Sequence, residues 1–347
     1  MKSLLKGNIF RNGIATVFQK LSKVLEQLLL VPFFISAWGV AYYGEWLTLT
    51  IIPTVLAFSD LGFSTAAANS FVLKFTSGAK KDASDVFKTG VFLTTLTIFC
   101  GILLSIFTLF ILNEFNIFDK SLINKHDAIW SISILILARL INFYSQLFTS
   151  RFIAIRKASV SINLITISSF MKLILGFLVL ILGYGVIEFA MSQLIASFLF
   201  NIFYVYKSFN ILPVEKEYRG IVKKEYINDL TKKGISFLML PVWQSIYFQG
   251  TTFVVRIVLG SEAVVVFNTV RKLSRTVNQL FIIVNGTVFP ELQYEIGKKN
   301  FHKAQRLFRR SILIIFVVAV FGTIFLLLFG LKFYNIWTNN ELIVPIV

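Results

Sequence analysis

Apolar runs of roughly 20 residues or more recur along the whole chain, separated by short basic or turn-rich segments. About 20 apolar residues at 1.5 Å each cross a hydrocarbon core roughly 30 Å thick, so this pattern predicts membrane-spanning helices. Nine spans are expected, at residues 12–36, 43–72, 89–112, 128–149, 158–182, 186–206, 235–259, 263–289 and 311–333. A tenth starts at Leu342-Ile343-Val344-Pro345. The fold class is therefore an all-α polytopic membrane protein. The longest polar connection, Lys207–Lys233, mixes both signs of charge and divides six spans from the rest. It reads as a cytoplasmic linker (207–233) with a short surface helix, between a six-helix lobe (1–206) and a C-terminal lobe (234–347) that is incomplete on this reading.

Positions of Lys and Arg set the orientation. Between spans, 23 of them fall on one side and three on the other. The positive-inside rule places the N-terminus and every basic loop in the cytoplasm. Arg151 is counted here among the loop cations. The segment Lys298–Arg310 sets Phe301, Ala304, Leu307 and Phe308 against cations, the pattern of an in-plane interfacial helix.

Composition sharpens the class. Over 347 residues, 56% are hydrophobic and only 15% charged, with a mean hydropathy of +0.77; a soluble domain carries about 25% charged residues. The net charge of +17 suggests nucleic acid at first sight. The basic residues alternate with apolar spans, however, so a nucleic-acid partner is not expected. One cysteine, Cys100, and two histidines, His126 and His302, predict neither a disulfide framework nor a metal site, and no cofactor is expected.

The chemistry lies in charges within the spans. Arg271, Arg275 and Asn278 fall at i, i+4 and i+7 on one face of the eighth, next to Lys272. A cation at the bilayer centre costs about 2.5–3.5 kcal/mol, so three in five residues are expected to face protein or a water-filled cavity. The first span carries a polar stripe of Gln19, Lys20, Lys23, Glu26 and Gln27. That stripe either faces the same cavity or lets Lys20 and Lys23 snorkel to the inner interface. Asp60 and Asn69 in the second span, and Gln244 in the seventh, are candidate coupling or cavity-polar groups, with Glu26 and Asn278. Asp60 serves as partner to a cavity cation, as a proton site, or in an internal salt bridge. Trp243, Gln244 and Tyr247 suit sugar stacking or helix packing alike, Arg256 suits outward snorkelling or cavity lining, and Arg139 and Lys172 suit structural pairing, with Glu188 as a partner. Lys20, Lys23, Arg271, Lys272 and Arg275 outweigh Glu26 and Asp60, so the expected passenger is anionic. No catalytic constellation is recognisable: Glu114, Asp119, His126 and Asp127 of the longest outer loop lack catalytic spacing.

A weak repeat runs from Gly13 and again from Gly234, the spacing of Gly39 to Lys80-Lys81 being similar to that of Gly260 to Lys298-Lys299. Repeated halves are a common transporter plan. The stretch Trp38–Asn69, with Gly-x-x-x-Tyr-Gly followed by Asp60-Leu61-Gly62 and Asn69, resembles the polysaccharide and O-antigen flippases of the multidrug/oligosaccharidyl-lipid/polysaccharide exporter superfamily. Gly260 through Phe289-Pro290-Glu291-Leu292 is similar to the matching part of their second lobe. The resemblance implies two six-helix lobes, a cavity lined by the first two helices of each, and alternating access. It implies a polyprenyl-pyrophosphate-linked oligosaccharide as substrate, held by the cavity cations with its tail in the bilayer. It also implies the bacterial inner membrane as location and glycan polymerase machinery as a partner. The family has about twelve spans, so the nine to ten read here suggest a truncated form. A cation-coupled drug exporter and a membrane glycan-assembly enzyme are the competing readings.

Overall fold

In the computed structural model the described residues are 2–56, 60, 62–116, 118–297, 301–340 and 342. They form helices, turns and one short 3-10 segment, with no strand among them. The helices are α1 (Lys2–Trp38), α2 (Val40–Leu49), α3 (Ile51–Leu56), α4 (Phe63–Thr76), α5 (Lys80–Glu114) and α6 (Lys125–Ala154), then α7 (Ala158–Ile181), α8 (Val186–Ile211), α9 (Val214–Glu217), α10 (Lys224–Leu259), α11 (Ser261–Gly297) and α12 (Phe301–Trp337). Among the described residues six segments are long and apolar enough to cross a membrane, lying in α1, α5, α6, α7, α8 and α12. The seventh and eighth expected spans fall on α10 and α11, which are equally long. The tenth, beyond Leu342, lies outside the described residues.

Three expectations need correction. The second span is not one helix. Pro53 has no N–H for the Leu49 carbonyl and its ring crowds that carbonyl, so α2 stops there and α3 begins afresh with proline in its first turn. Further on, α4 starts anew at Phe63, after Gly62 in the left-handed region at φ 73°. The basic segment before Arg310 is not a separate in-plane helix either: from Phe301 it is the beginning of α12, which continues unbroken to Trp337, while 298–300 lie outside the described residues. Arg151 is no loop cation; it is fully buried in α6.

The chain packs as two compact units, Met1–Val40 with Val265–Val347, and Ala41–Val264. The second has a core rich in aromatic residues drawn from six helices: Phe63, Ala67 and Phe71 of α4, Val86 and Phe87 of α5, Leu147, Phe148 and Phe152 of α6, Phe200 and Tyr204 of α8, Val214 of α9, and Tyr226 and Leu230 of α10. Small residues let these helices close up, as in membrane bundles generally. A Cβ on Gly90 would stand only 2.5 Å from that of Ala67. The polar linker expected at 207–233 contains the short helix α9 and is fastened to the start of α5. The Ser84 hydroxyl donates to the Tyr218 carbonyl (2.7 Å), and Asp85, itself buried, accepts from the Ile221 N–H (2.9 Å) and pairs with Lys223 Nζ (2.6 Å). That hydrogen bond to Asp85 holds the Lys223 ammonium above its ordinary pKa.

Candidate functional site

In the unit formed by α1, α11 and α12, apolar side chains of all three helices line an open cavity of about 500 Å³. Its walls include Leu21, Val24 and Leu28 of α1, Leu273, Val277 and Leu280 of α11, and Phe321 and Phe325 of α12; among the described residues Lys20 is the one charged group lining it. Close approach of α12 depends on Gly322, where a Cβ would meet the Val277 side chain at 2.7 Å. The buried Tyr334 hydroxyl and Thr269 Oγ1, 2.7 Å apart, also link α12 to α11.

At about 100° per residue, the α11 residues lining the cavity sit half a turn from the Arg271, Arg275 and Asn278 face. The expected shared face exists, then, and it points away from this apolar cavity. Arg275 and Asn278 are exposed, while Arg271 and Lys272 are half-buried. Arg271 donates to the Asn268 side-chain carbonyl and lies 5.0 Å from the centre of the Phe267 ring, both on its own helix. On α1, Lys23 is exposed and Glu26 half-buried; both lie on the side away from Leu21, Val24 and Leu28. Of the five candidate cations, only Lys20 lines the cavity. The side chains of Gln27 and Gln279 lie outside the described residues.

Pro32 lies inside α1 and cannot donate to the Leu28 carbonyl. The indole N–H of Trp337, at the end of α12, donates to that same carbonyl. Trp337→Phe should therefore cost about 1–3 kcal/mol, the cost of leaving a buried acceptor unsatisfied. In a Pro32→Ala background the restored backbone N–H serves Leu28, and the same change should cost clearly less. Thermal unfolding of the four proteins of this cycle measures the coupling. Equal losses in both backgrounds would reduce the indole to a space-filler.

The other candidates belong to the second unit. Asp60 is buried and sits at the start of α4, where it accepts from the Ser64 hydroxyl (2.6 Å) and the Ser64 N–H (3.3 Å). That is a carboxylate at a helix N-terminus, where the free N–H groups and the dipole favour it. Asn69 is exposed on α4, and Gln244 is exposed on α10. Beside Gln244, Trp243 and Tyr247 stack with ring centres 6.0 Å apart, and both are largely exposed.

Arg256 does not stand alone. It forms an ion pair with Glu45 of α2, whose other oxygen accepts from the Ser121 hydroxyl at 3.3 Å. Glu45 was not singled out from the sequence, although its position next to Gly44 in the Tyr-Gly turn was the available signal. Gly44 permits the contact: a Cβ there would lie 2.1 Å from the Ser261 carbonyl oxygen. Glu188, the expected partner of Arg139, instead accepts from the Gly185 N–H at 3.0 Å and caps α8.

No family model and no curated protein matches the chain. Solved structures do match its fold. One is described as the inward-facing conformation of a multidrug resistance MATE family transporter of the MOP superfamily; it is 15% identical, with 94% of this chain and 76% of that chain covered and a TM-score of 0.72. A MATE solved in complex with MaL6 is 17% identical, with 96% and 74% covered and a TM-score of 0.67. A third, a MOP superfamily transporter from Pyrococcus furiosus, is described by the reverse polarity of its binding pocket, which suggests a different function; it is 15% identical, with 96% and 76% covered and a TM-score of 0.66. The all-α membrane fold expected from the sequence is thus the fold of MATE structures.

Proposed function

We propose that this chain belongs to a transporter that turns an anionic, polyprenyl-pyrophosphate-linked oligosaccharide from the cytoplasmic to the outer leaflet. The observation that carries the reading is the charge balance in α1 and α11. Lys20, Lys23, Arg271, Lys272 and Arg275 stand against Glu26 within membrane-spanning stretches, and three of the five are on faces turned away from the apolar cavity. A cationic polar face selects an anion and repels a cationic drug. Two things support transport itself: the MATE fold, and the resemblance of Trp38–Asn69 to O-antigen and polysaccharide flippases. On this reading residues 1–206 and 234–347 are the two lobes of an alternating-access machine, with 207–233 between them. The N-terminus is cytoplasmic, the membrane is the bacterial inner membrane, the lipid tail of the substrate stays in the bilayer, and glycan polymerase machinery receives the product. The P. furiosus neighbour, whose description ties reversed pocket polarity to a different function, supports reading function from pocket charge within this fold.

A drug exporter is the second reading, favoured by the description of a neighbour as a multidrug resistance transporter. Leaflet translocation of a fluorescent polyprenyl-pyrophosphate oligosaccharide in proteoliposomes separates the two. Arg271→Ala with Arg275→Ala should lower the rate at least tenfold while leaving folding intact. Unchanged flipping would return both arginines to a structural role. Efflux of a cationic dye without flipping would establish the exporter instead.

A further inference from the structure

The middle of α6 holds a guanidinium that belongs neither to the apolar cavity nor to the charged face of α11. Arg139 stands at the midpoint of Lys125–Ala154, about 21 Å of helix from either end, beyond the reach of snorkelling. Its side chain reaches the surface, and the polar positions beside it lie on the C-terminal side. Asn142 and Gln146 follow at i+3 and i+7 on the same stripe. The Gln146 amide donates to the Thr65 hydroxyl of α4, one turn from the exposed Asn69. Asn142 is committed to the protein, donating to the Ala138 carbonyl (2.7 Å) and accepting from Asn201 (3.0 Å). The exposed apolar residues Trp130 and Leu137 of α6 lie half a turn from Arg139. The lipid-like side of the helix is thus the opposite side.

No carboxylate among the described residues pairs with Arg139. Within this unit Glu45 holds Arg256, Asp60 holds Ser64 and Glu188 holds the Gly185 N–H. Unlike Arg151, which rings and a backbone carbonyl hold inside the bundle, Arg139 has its head at the surface, where a water-filled path would bring an anion to it. The guanidinium fork fits phosphate oxygens. About 10 Å along the stripe, at seven helical rises, Gln146, Thr65 and Asn69 offer amide and hydroxyl groups suited to sugar hydroxyls.

We propose that Arg139 binds the phosphate of a sugar phosphate ester while Gln146, Thr65 and Asn69 engage the sugar. This deepens the glycan-transport reading and rests on it for its place in a cycle. The binding itself is tested without translocation. Calorimetric titration of the detergent-solubilised full chain with glucose 1-phosphate and with inorganic phosphate should show both bound, the ester more tightly. Arg139→Gln should weaken both at least tenfold, Arg139→Lys should retain part of the affinity, and Gln146→Ala should weaken the ester alone. Affinities within twofold of wild type in Arg139→Gln, or no binding by the wild type, would overturn the site.

A second measurement does not depend on affinity. In a Cys100→Ser background, Arg139→Cys should react with a charged, membrane-impermeant thiol reagent, and failure to react would place the position against lipid and overturn the proposal. A protein that binds through Arg139 yet flips nothing in proteoliposomes keeps this site and loses the transport reading.

Discussion

Replacing Arg151 by Ala should destabilise the protein by about 2–5 kcal/mol, the scale of deleting a large, closely packed core side chain. The side chain is fully buried and joins three helices. Its guanidinium carbon lies 4.3 Å from the Phe87 ring centre, 4.2 Å from Phe209 and 5.6 Å from Phe148. Those rings belong to α5, α8 and α6, so removing the planar cation empties the place where three helices meet. Its Nη1 also donates to the Leu212 carbonyl at 3.1 Å. Leu212 is the C-terminal cap of α8, where free carbonyls and the negative end of the helix dipole favour a cation. Lysine keeps the charge but loses the flat face that stacks on the rings and the fork that reaches Leu212, so Arg151→Lys should recover only part of the loss. Arg151→Met keeps most of the volume and should cost less than alanine. Unfolding of the detergent-solubilised variants, followed by a thiol-reactive or calorimetric readout, gives the order. Alanine within 1 kcal/mol of wild type would mean that the rings close over the gap and the cation is dispensable.

Much of the architecture was readable because a bilayer imposes one period and one length on the sequence. Runs such as 89–112 and 311–333 had no plausible form except a buried or lipid-facing helix, and they lie within α5 and α12. Spacing also told which residues share a face: Arg271, Arg275 and Asn278 do lie along one side of α11. Spacing could not say what stands opposite that face, because the answer depends on α1 and α12, the latter far along the chain. Partners of single charges were the least readable. Arg256 meets Glu45 across 211 residues, and nothing local to either names the other. Asp60 was visible as an intramembrane carboxylate. Its role followed only once the chain broke before Phe63 and presented a helix start to it. The break itself had local signals, Pro53 and Gly62, but each is common in membrane helices that continue undisturbed.

Gly62→Ala should cost at least about 3 kcal/mol, and a matched glycine shows why. An L-residue in the left-handed region costs roughly 1–2 kcal/mol from its own backbone sterics. Gly183 carries that penalty alone: its φ is also 73°, but a Cβ there would meet nothing within 4 Å. Gly183→Ala should therefore cost about 1 kcal/mol. At Gly62 a Cβ would lie 2.3 Å from the Gly234 carbonyl oxygen and 3.0 Å from its carbonyl carbon. Those are backbone atoms of α10, which cannot rotate aside, so α10 and the start of α4 would have to separate. Separation at this point also disturbs Asp60, which closes the same helix start through Ser64, and the Tyr226 and Leu230 contacts of α10 with the aromatic core. The excess of the Gly62 loss over the Gly183 loss, measured by thermal unfolding of both variants under one condition, isolates the packing contribution from the conformational one. Equal losses would show that α10 yields at no cost, and that the glycine of Asp60-Leu61-Gly62 is there for its dihedral angle alone.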